Sequence, residues 1–543
     1  MQHFLSRLQG QMASNWNQPA LCDYQGEKFT FGDLARHIAR FHVLFHKLGL
    51  KKGDRIAICG KNQARWGISF FASITYEAVA VPILDNFHID NISNIINLSE
   101  SLIVITDPEI WKKLENIPLP MVKQVISMRD FTPLKCSEED KAVFDNLDNL
   151  FQEAYPQGFT SADVNYPTDN DKDLCIINYT SGSTGSPKGV MLRYECISAN
   201  TEFGQDHIPS SVGDNVLSVL PMAHMFGMAF EMIYPLCGGS TINFLGKLPS
   251  PSLLMKALAD VRPYIFIAVP MVYEKIYQSK LKPIMDRPLM KVLTALPGVR
   301  QMIYSKVRKG LDDVFGGKVR DYIMGGAALN PEAEDFFHRI GWHFTVGYGM
   351  TEAAPLLAYV KWNKFVLRSC GKPMDFMELR IDSSDPEHTP GEIQARGINL
   401  FSGYYKNEEA TKASFTEDGW FHTGDLGVID SKGNVFIRGR LKSLLLSSNG
   451  QNIYPEEIEC VLNSMEYVLE SLVVMRNDKL VALMDLDKEA IAKSGLSVEA
   501  VTKKLRKEAN QKLDNYSQLH EIVVMTEPFE KTPKMSIKRF LYS

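Results

Sequence analysis

No two cysteines in this chain have the spacing of a metal site or a disulfide framework. The eight lie scattered at positions 22, 59, 136, 175, 196, 237, 370 and 460, with no CxxC pair and no Cys/His ligand pattern. Reduced thiols in a cytoplasmic protein fit that distribution. An excess of basic charge is also missing. The formal net charge is −5, which argues against a nucleic-acid binder. Met1–Met12 has no apolar core of the kind that leads a protein to export. The longest apolar stretch, Trp66–Leu84, is broken by Glu77 and Pro82, and reads as a helix feeding a buried strand rather than a membrane span. There are no internal repeats and no long low-complexity segment.

What the chain does have is a dense polar loop between apolar flanks. Residues 179–189 read Tyr-Thr-Ser-Gly-Ser-Thr-Gly-Ser-Pro-Lys-Gly, preceded by Leu174–Ile177 and followed by Val190–Leu192. Glycines let the backbone approach a polyanion. Hydroxyls and amide groups donate to phosphate oxygens, and a lysine adds a point charge. A Ser/Gly-rich linker is the bland alternative, but a linker needs no buried flanks. The usual P-loop is excluded, because Gly189 follows Lys188 where a Ser or Thr should stand. The loop reads instead as the tip of a hairpin.

The 543 residues suffice for about three or four folding units. Residues 1–170 alternate helical and strand patterns, with a helix at Phe31–Leu48 and strands at Arg55–Cys59, Ala78–Leu84 and Leu102–Thr106. Alternation of this kind predicts parallel α/β layers. Residues 130–172 read as an irregular polar excursion. A second α/β region is expected from about Leu174 to Asp375. Within it, the strand Val319–Met324 ends in Gly325-Gly326-Ala327, and Asn330-Pro331-Glu332 opens a helix. The next strand, Trp342–Val346, ends in Gly347-Tyr348-Gly349-Met350-Thr351-Glu352. Ligands in such sheets bind at the carboxyl ends of strands. From about Met377 short strands and turns take over, and beyond Arg440 a compact α+β unit follows. The fold expectation is therefore α/β: a large N-terminal domain of α/β-layered subdomains with a small β-barrel-like region (residues 1–438), then a small mobile α+β C-terminal domain (residues 439–543).

Six segments in this order resemble the adenylate-forming superfamily of acyl-CoA synthetases, luciferases and nonribosomal adenylation domains, and within it the long-chain fatty acid–CoA ligases. The resemblance spans nearly the whole chain. It implies that Thr180, Ser181, Gly182, Ser183, Thr184, Gly185 and Lys188 hold the ATP phosphates, and that Gly325, Gly326 and Ala327 pass beside adenine. Tyr348 and Gly349 then face the base, Thr351 the α-phosphate, and Glu352 a Mg²⁺ ion, which prefers one or two carboxylates plus substrate phosphates. In Trp420–Gly427, Asp425 would accept the ribose hydroxyls. Arg440 would reach ribose or phosphate, and Lys442 would be the interdomain hinge, although Ser443 replaces the usual acid there. His224, Met225, Phe226 and Gly227 would border the acyl pocket, and Gly450, Gln451 and Asn452 the CoA channel.

The tail departs from the family. Lys531–Arg539 places Ser536 where a catalytic lysine is usual, which leaves Lys534 or Lys538 as substitutes. The implied substrates are ATP, CoA and a fatty acid, since the segment Val216–Leu236 is rich in Met, Phe, Leu and Val and carries a single acid, Glu231. Two other readings stand beside this one: an acyl-AMP ligase that loads a carrier protein, and a non-catalytic acyl- or nucleotide-binding protein. Loose contact with a membrane surface is compatible with such a substrate.

Overall fold

The computed structural model describes residues 1–180, 187–247, 250–446, 452–477, 479–514, 517–531 and 537–542. Two seven-stranded sheets dominate the first 350 residues. The first sheet runs in the order 133–135, 124–127, 103–106, 55–59, 79–83, 174–180 and 188–193. The second runs 344–346, 321–324, 265–268, 215–218, 241–244, 19–23 and 28–30. Both are parallel through their centres and end in an antiparallel strand.

The two sheets are interleaved along the chain, which corrects the expectation of two successive α/β regions. The strands Pro19–Asp23 and Lys28–Thr30 join the second sheet, where Leu21 pairs with Ile242. Leu174–Thr180, expected to open the second region, closes the first sheet instead, with Ile176 paired to Ala80. Local patterning specifies a strand, but its parallel neighbour is chosen by distant packing. The helix Ala64–Thr75 shows why the layers hold together. All of its residues except Arg65 are buried, and it packs on strands of both sheets. A helix that is apolar on every side belongs between layers.

Several local expectations hold. Helix Phe31–Lys47 starts at a capping box in which the Thr30 side chain accepts from Asp33 N and Asp33 accepts from Thr30 N. Helix Pro331–Arg339 is capped by Asn330, whose Oδ1 accepts from Glu332 N and Ala333 N. The polar stretch 130–172 is less irregular than its composition suggests. It holds helices Glu138–Asp145 and Leu147–Ala154, the first capped by Ser137. Neither buries a residue fully, although Leu147, Leu150 and Phe151 recur at helical spacing in the second and Leu147 packs against the main core.

The region expected to resemble a barrel consists of two antiparallel sheets. Three strands, Tyr348–Gly349, Leu356–Tyr359 and Lys372–Pro373, form one; Met377–Asp382, Gly391–Gly397, Phe421–Ile429 and Val435–Arg440 form the other. They do not close on each other by strand pairing among the described residues. The last strand runs through Arg440, across the boundary expected at 438/439. Beyond it, Val468–Arg476, Lys479–Leu486 and Glu521–Val524 make a three-stranded sheet. It has its own apolar core, which includes Leu462, Val473, Ala482, Met484 and Leu505. A core of its own is what lets a small unit behave as a separate domain.

Candidate active site

The polar loop sits at the edge of the first sheet. Leu174–Thr180 and Lys188–Arg193 pair antiparallel with Thr180 opposite Lys188 and Tyr179 opposite Gly189, so the connection is a hairpin, as its pattern predicts. Ser181, Gly182, Ser183, Thr184 and Gly185 lie outside the described residues. The outer strand is itself bordered by a third segment: Met191 N donates to Gly403 O (3.0 Å), Ser402 N to Met191 O (2.9 Å) and Tyr405 N to Gly189 O (2.8 Å).

That border delivers Tyr404, which sequence reasoning missed. Its ring lies 4.9 Å from Lys188 Nζ, and its hydroxyl donates to Glu352 Oε1 at 3.1 Å. Phe401 N also donates to Glu352 O at 2.8 Å. One buried tyrosine thus touches both the lysine of the first sheet's edge and the carboxylate that follows the second sheet's edge. The signal was present as Gly403-Tyr404-Tyr405-Lys406, an aromatic pair in a polar turn.

The second sheet leads into the other half of the site. Strand Phe344–Val346 runs directly into Tyr348. Tyr348 is buried, and its hydroxyl donates to Asp425 Oδ2 at 2.7 Å. Arg440 Nε lies 2.9 Å from Asp425 Oδ1, and the two residues face each other across the antiparallel pair 421–429/435–440. Burial pushes the Asp425 carboxyl up from its ordinary value, while Arg440 and the Tyr348 hydroxyl oppose that shift. The turn that presents Asp425 is held by Glu392, which accepts from Gly424 N (3.0 Å) and pairs with His422 (2.6 Å).

An apolar cavity opens beside these groups. Its lining includes Gly325, Gly326, Tyr348, Gly349 and Thr351, together with His224, Phe226, Phe230, Ile267 and Ile323. Gly325 packs against one of these: a Cβ there would lie 2.9 Å from the Phe226 ring. Gly349 is equally constrained, since a Cβ would fall 2.3 Å from Pro355 O. Of the four residues expected on the acyl wall, His224 and Phe226 line the cavity. Met225 and Gly227 do not; both are buried, and a Cβ on Gly227 would press 2.8 Å from Pro221 O. A one-turn helix, Met225–Gly227, cannot point four consecutive side chains the same way. Ala327 is exposed beyond the cavity lining.

Three side chains from elsewhere pin the wall loop 219–224. Asn62 donates to Leu220 O and accepts from Met222 N. Asn178, on the strand below the polar hairpin, donates to Ala223 O at 2.9 Å. Glu231 Oε2 accepts from Val219 N (3.1 Å) and Leu220 N (3.0 Å). Burial raises the Glu231 carboxyl to about 8, despite those two hydrogen bonds. The one acid in this apolar segment therefore supports the loop backbone. It is absent from the cavity lining.

The residues present fit a magnesium ion. Glu352 is half-buried, and one of its oxygens is engaged by Tyr404. No three His, Cys, Asp or Glu side chains cluster as ligands among the described residues. One hard carboxylate oxygen, linked through Tyr404 to Lys188, suits an ion that takes its other ligands from phosphates and water.

In the small domain, Lys442 lies in the turn Leu441–Ser443 and is exposed. Helix Pro455–Asn463 packs on strand Val435–Arg440, with Arg438 Nη1 3.6 Å from Glu457. Of the proposed channel residues, Asn452 forms a short strand with Ile453, while Gly450 and Gln451 lie outside the described residues. So do Lys534 and Ser536. Lys538 Nζ sits 3.3 Å from Glu530, and Arg539 pairs with Glu459. The tail cations described are thus engaged within their own domain.

A family model for AMP-binding enzymes matches residues 8–405, and one for the C-terminal domain of AMP-binding enzymes matches residues 442–542. Among curated relatives, long chain acyl-CoA synthetase 5 of Arabidopsis thaliana is 32% identical over 470 residues, covering 79% of this chain and 68% of that protein. Fatty acyl-CoA synthetase A of Dictyostelium discoideum is 28% identical over 554 residues, covering 91% and 80%. Among solved structures, the anthranilate CoA ligase AuaEII with anthranoyl-AMP superposes with a TM-score of 0.79 at 19% identity, covering 99% of this chain and 96% of that one. ATP-bound MatB from Rhodopseudomonas palustris gives 0.78 at 22% identity, covering 100% and 98%. At those identities the structures speak for the fold.

Proposed function

The chain belongs to the AMP-binding enzyme family, and from that premise we propose that it is an acid–thiol ligase that activates a medium- or long-chain fatty acid with ATP and passes the acyl group to CoA. The observation that carries the reading is the apolar cavity whose lining includes Gly325, Gly326, Tyr348 and Thr351. An acyl chain in that cavity would hold its carboxylate next to the groups assigned to the nucleotide. The names of the relatives, acyl-CoA synthetases over most of the chain, support a fatty acid and CoA.

In the first half-reaction a carboxylate oxygen attacks the α-phosphorus of ATP. The bond from that phosphorus to the bridging oxygen breaks, and pyrophosphate leaves. The obstacle is charge, since one anion approaches another. Lys188 and the hydroxyls of residues 180–186 donate to the outer phosphates. Thr351 donates at the α-phosphate, and a tail lysine (Lys534 or Lys538) supplies positive charge there. Asp425, fixed by Tyr348 and Arg440, accepts the ribose hydroxyls. Mg²⁺ held by Glu352 would neutralise phosphate charge. No protein nucleophile is needed; positioning and preorganised electrostatics suffice. In the second half-reaction the CoA thiol attacks the acyl carbonyl, AMP leaves and the thiol proton is lost.

We assign residues 1–438 to the adenylating body and 439–543 to a mobile domain that turns about Lys442 between the two steps, with Gly450, Gln451 and Asn452 along the thiol channel. Two rigid cores joined by a short turn suit such a motion.

The test is pyrophosphate release with ATP, Mg²⁺ and a series of saturated acids from acetate to stearate. Release is expected with the longer acids, palmitate among them, and thioester is expected with CoA. No release across the series defeats the enzyme reading. Thioester with a holo carrier protein and none with CoA makes the protein a carrier-loading ligase.

A further inference from the structure

The strand Ile265–Ala268, whose Ile267 lines the cavity, runs on through helix Pro270–Ile276 towards a helical hairpin, Pro288–Ala295 and Pro297–Val314. Leu289, Val292 and Leu296 on the hairpin are 68%, 64% and 52% exposed. Leu289 and Val292, three residues apart, share a face of their helix, and Leu296 follows in the turn between the two helices. Ile284 before them and Met302 after them are also exposed. An apolar stripe left open to solvent marks an interaction site rather than a core.

The charge around the stripe is mostly of one sign. From Lys275 to the end of the hairpin at Val314 there are nine Lys and Arg residues and three acids, Asp286, Asp312 and Asp313, in a chain whose net charge is −5. Lys282 pairs with Glu332 and Lys309 with Asp313. Asp286 pairs with Lys291 at 3.3 Å. Arg287, Arg300 and Lys306 are exposed and make no ion pair among the described residues. An apolar stripe bordered by basic side chains matches the boundary of an anionic bilayer, where the apolar face enters the acyl region and the cations meet headgroups. A second copy of the chain would bring the same positive charge to the contact and be repelled.

We propose that this hairpin docks the protein on anionic lipid surfaces. The site is separate from the catalytic groups and does not depend on the reaction assigned to them. No helix among the described residues is long and apolar enough to cross a membrane, so the contact is with the surface.

The test is co-sedimentation of the full chain with vesicles of phosphatidylcholine alone and of equal parts phosphatidylcholine and phosphatidylglycerol, at ~0.1 M salt, where screening is moderate. The parent should bind the mixed vesicles and not the neutral ones, and ~0.5 M salt should weaken binding. The triple variant Leu289→Ser/Val292→Ser/Leu296→Ser and the charge variant Arg287→Glu/Lys291→Glu/Arg300→Glu should each bind at least about tenfold less. Circular dichroism and pyrophosphate release with octanoate, a soluble acid, report whether each variant is folded. Equal binding to both vesicle types overturns the proposal, as does undiminished binding by both folded variants. A parent dimer that the serine variant dissolves, without vesicle binding, makes the face a self-association surface instead.

Discussion

The two large sheets are alike in size and unlike in how they meet the site. Each has seven strands and a parallel centre; the first ends in an antiparallel strand on both sides, the second on one side only. The first sheet approaches through its 188–193 end, where a hairpin leaves Thr180 and Lys188 side by side. The second approaches through the carboxyl ends of parallel strands, whose exits supply the Gly325–Gly326 turn and Tyr348–Glu352. An antiparallel edge returns the chain on itself and concentrates donors in one tip. Parallel ends open a crevice for a ligand. In the proposed function the phosphate groups and the apolar chain have separate scaffolds, and Tyr404 is a contact that joins them.

Four experiments break or sharpen that division. The largest effect is expected from Glu352→Gln, which removes the carboxylate on the second sheet's side. Acyl-AMP formation should fall by about 10²–10³-fold, in line with loss of one key electrostatic group. Mg²⁺-dependent pyrophosphate release measures it, and unchanged release would remove Glu352 from the site. Next, Asp425→Asn should raise KM for ATP by about ten- to a hundredfold, the effect of losing one or two hydrogen bonds to a charged acceptor; titration of initial rates against ATP reports it.

Tyr404→Phe tests the bridge itself. It keeps the ring beside Lys188 and deletes the hydroxyl donated to Glu352. A hydrogen bond to a charged group contributes about 1.5–3 kcal/mol, so a rate loss of about ten- to a hundredfold is expected, with Tyr404→Ala worse. If both variants match the parent, the two scaffolds act without this link.

The smallest effect on catalysis is expected from Glu231→Gln, which acts on stability. The folded carboxyl titrates near 8, above its ordinary value. The folded state therefore holds its proton more tightly than the unfolded chain does. The stabilisation is complete below about pH 4.5 and is lost as pH rises towards 8. Glutamine keeps an acceptor for Val219 N and Leu220 N and has no proton to lose. The parent's melting temperature should drop between pH 5 and 8.5 and the variant's should drop less, the gap being on the order of a few kcal/mol.

Much of this was legible in advance because it is local. The hairpin character of 174–193, the Asn330 cap and the small α+β unit each follow from nearby residues. The motifs behind the proposed phosphate, ribose and base contacts stand out in the sequence because few residue types can make such contacts. Tyr404 was not, since its role exists only once the third segment lies along Lys188–Arg193. Nor was Asn178, a polar residue in an apolar strand whose partner, Ala223 O, lies 45 residues on. Met225 and Gly227 failed as wall residues for a geometric reason: adjacent positions on a helical turn face different ways.

The interleaving of the sheets also sets a timetable for synthesis. The strand Pro19–Asp23 leaves the ribosome more than 200 residues ahead of its parallel partner, Thr241–Phe244. At about 5–20 residues per second, that interval is at least ten seconds in which an apolar strand waits with an open edge. A nascent chain cut short near residue 200 would carry a finished first sheet and an orphan strand, which is the species a holding chaperone would meet.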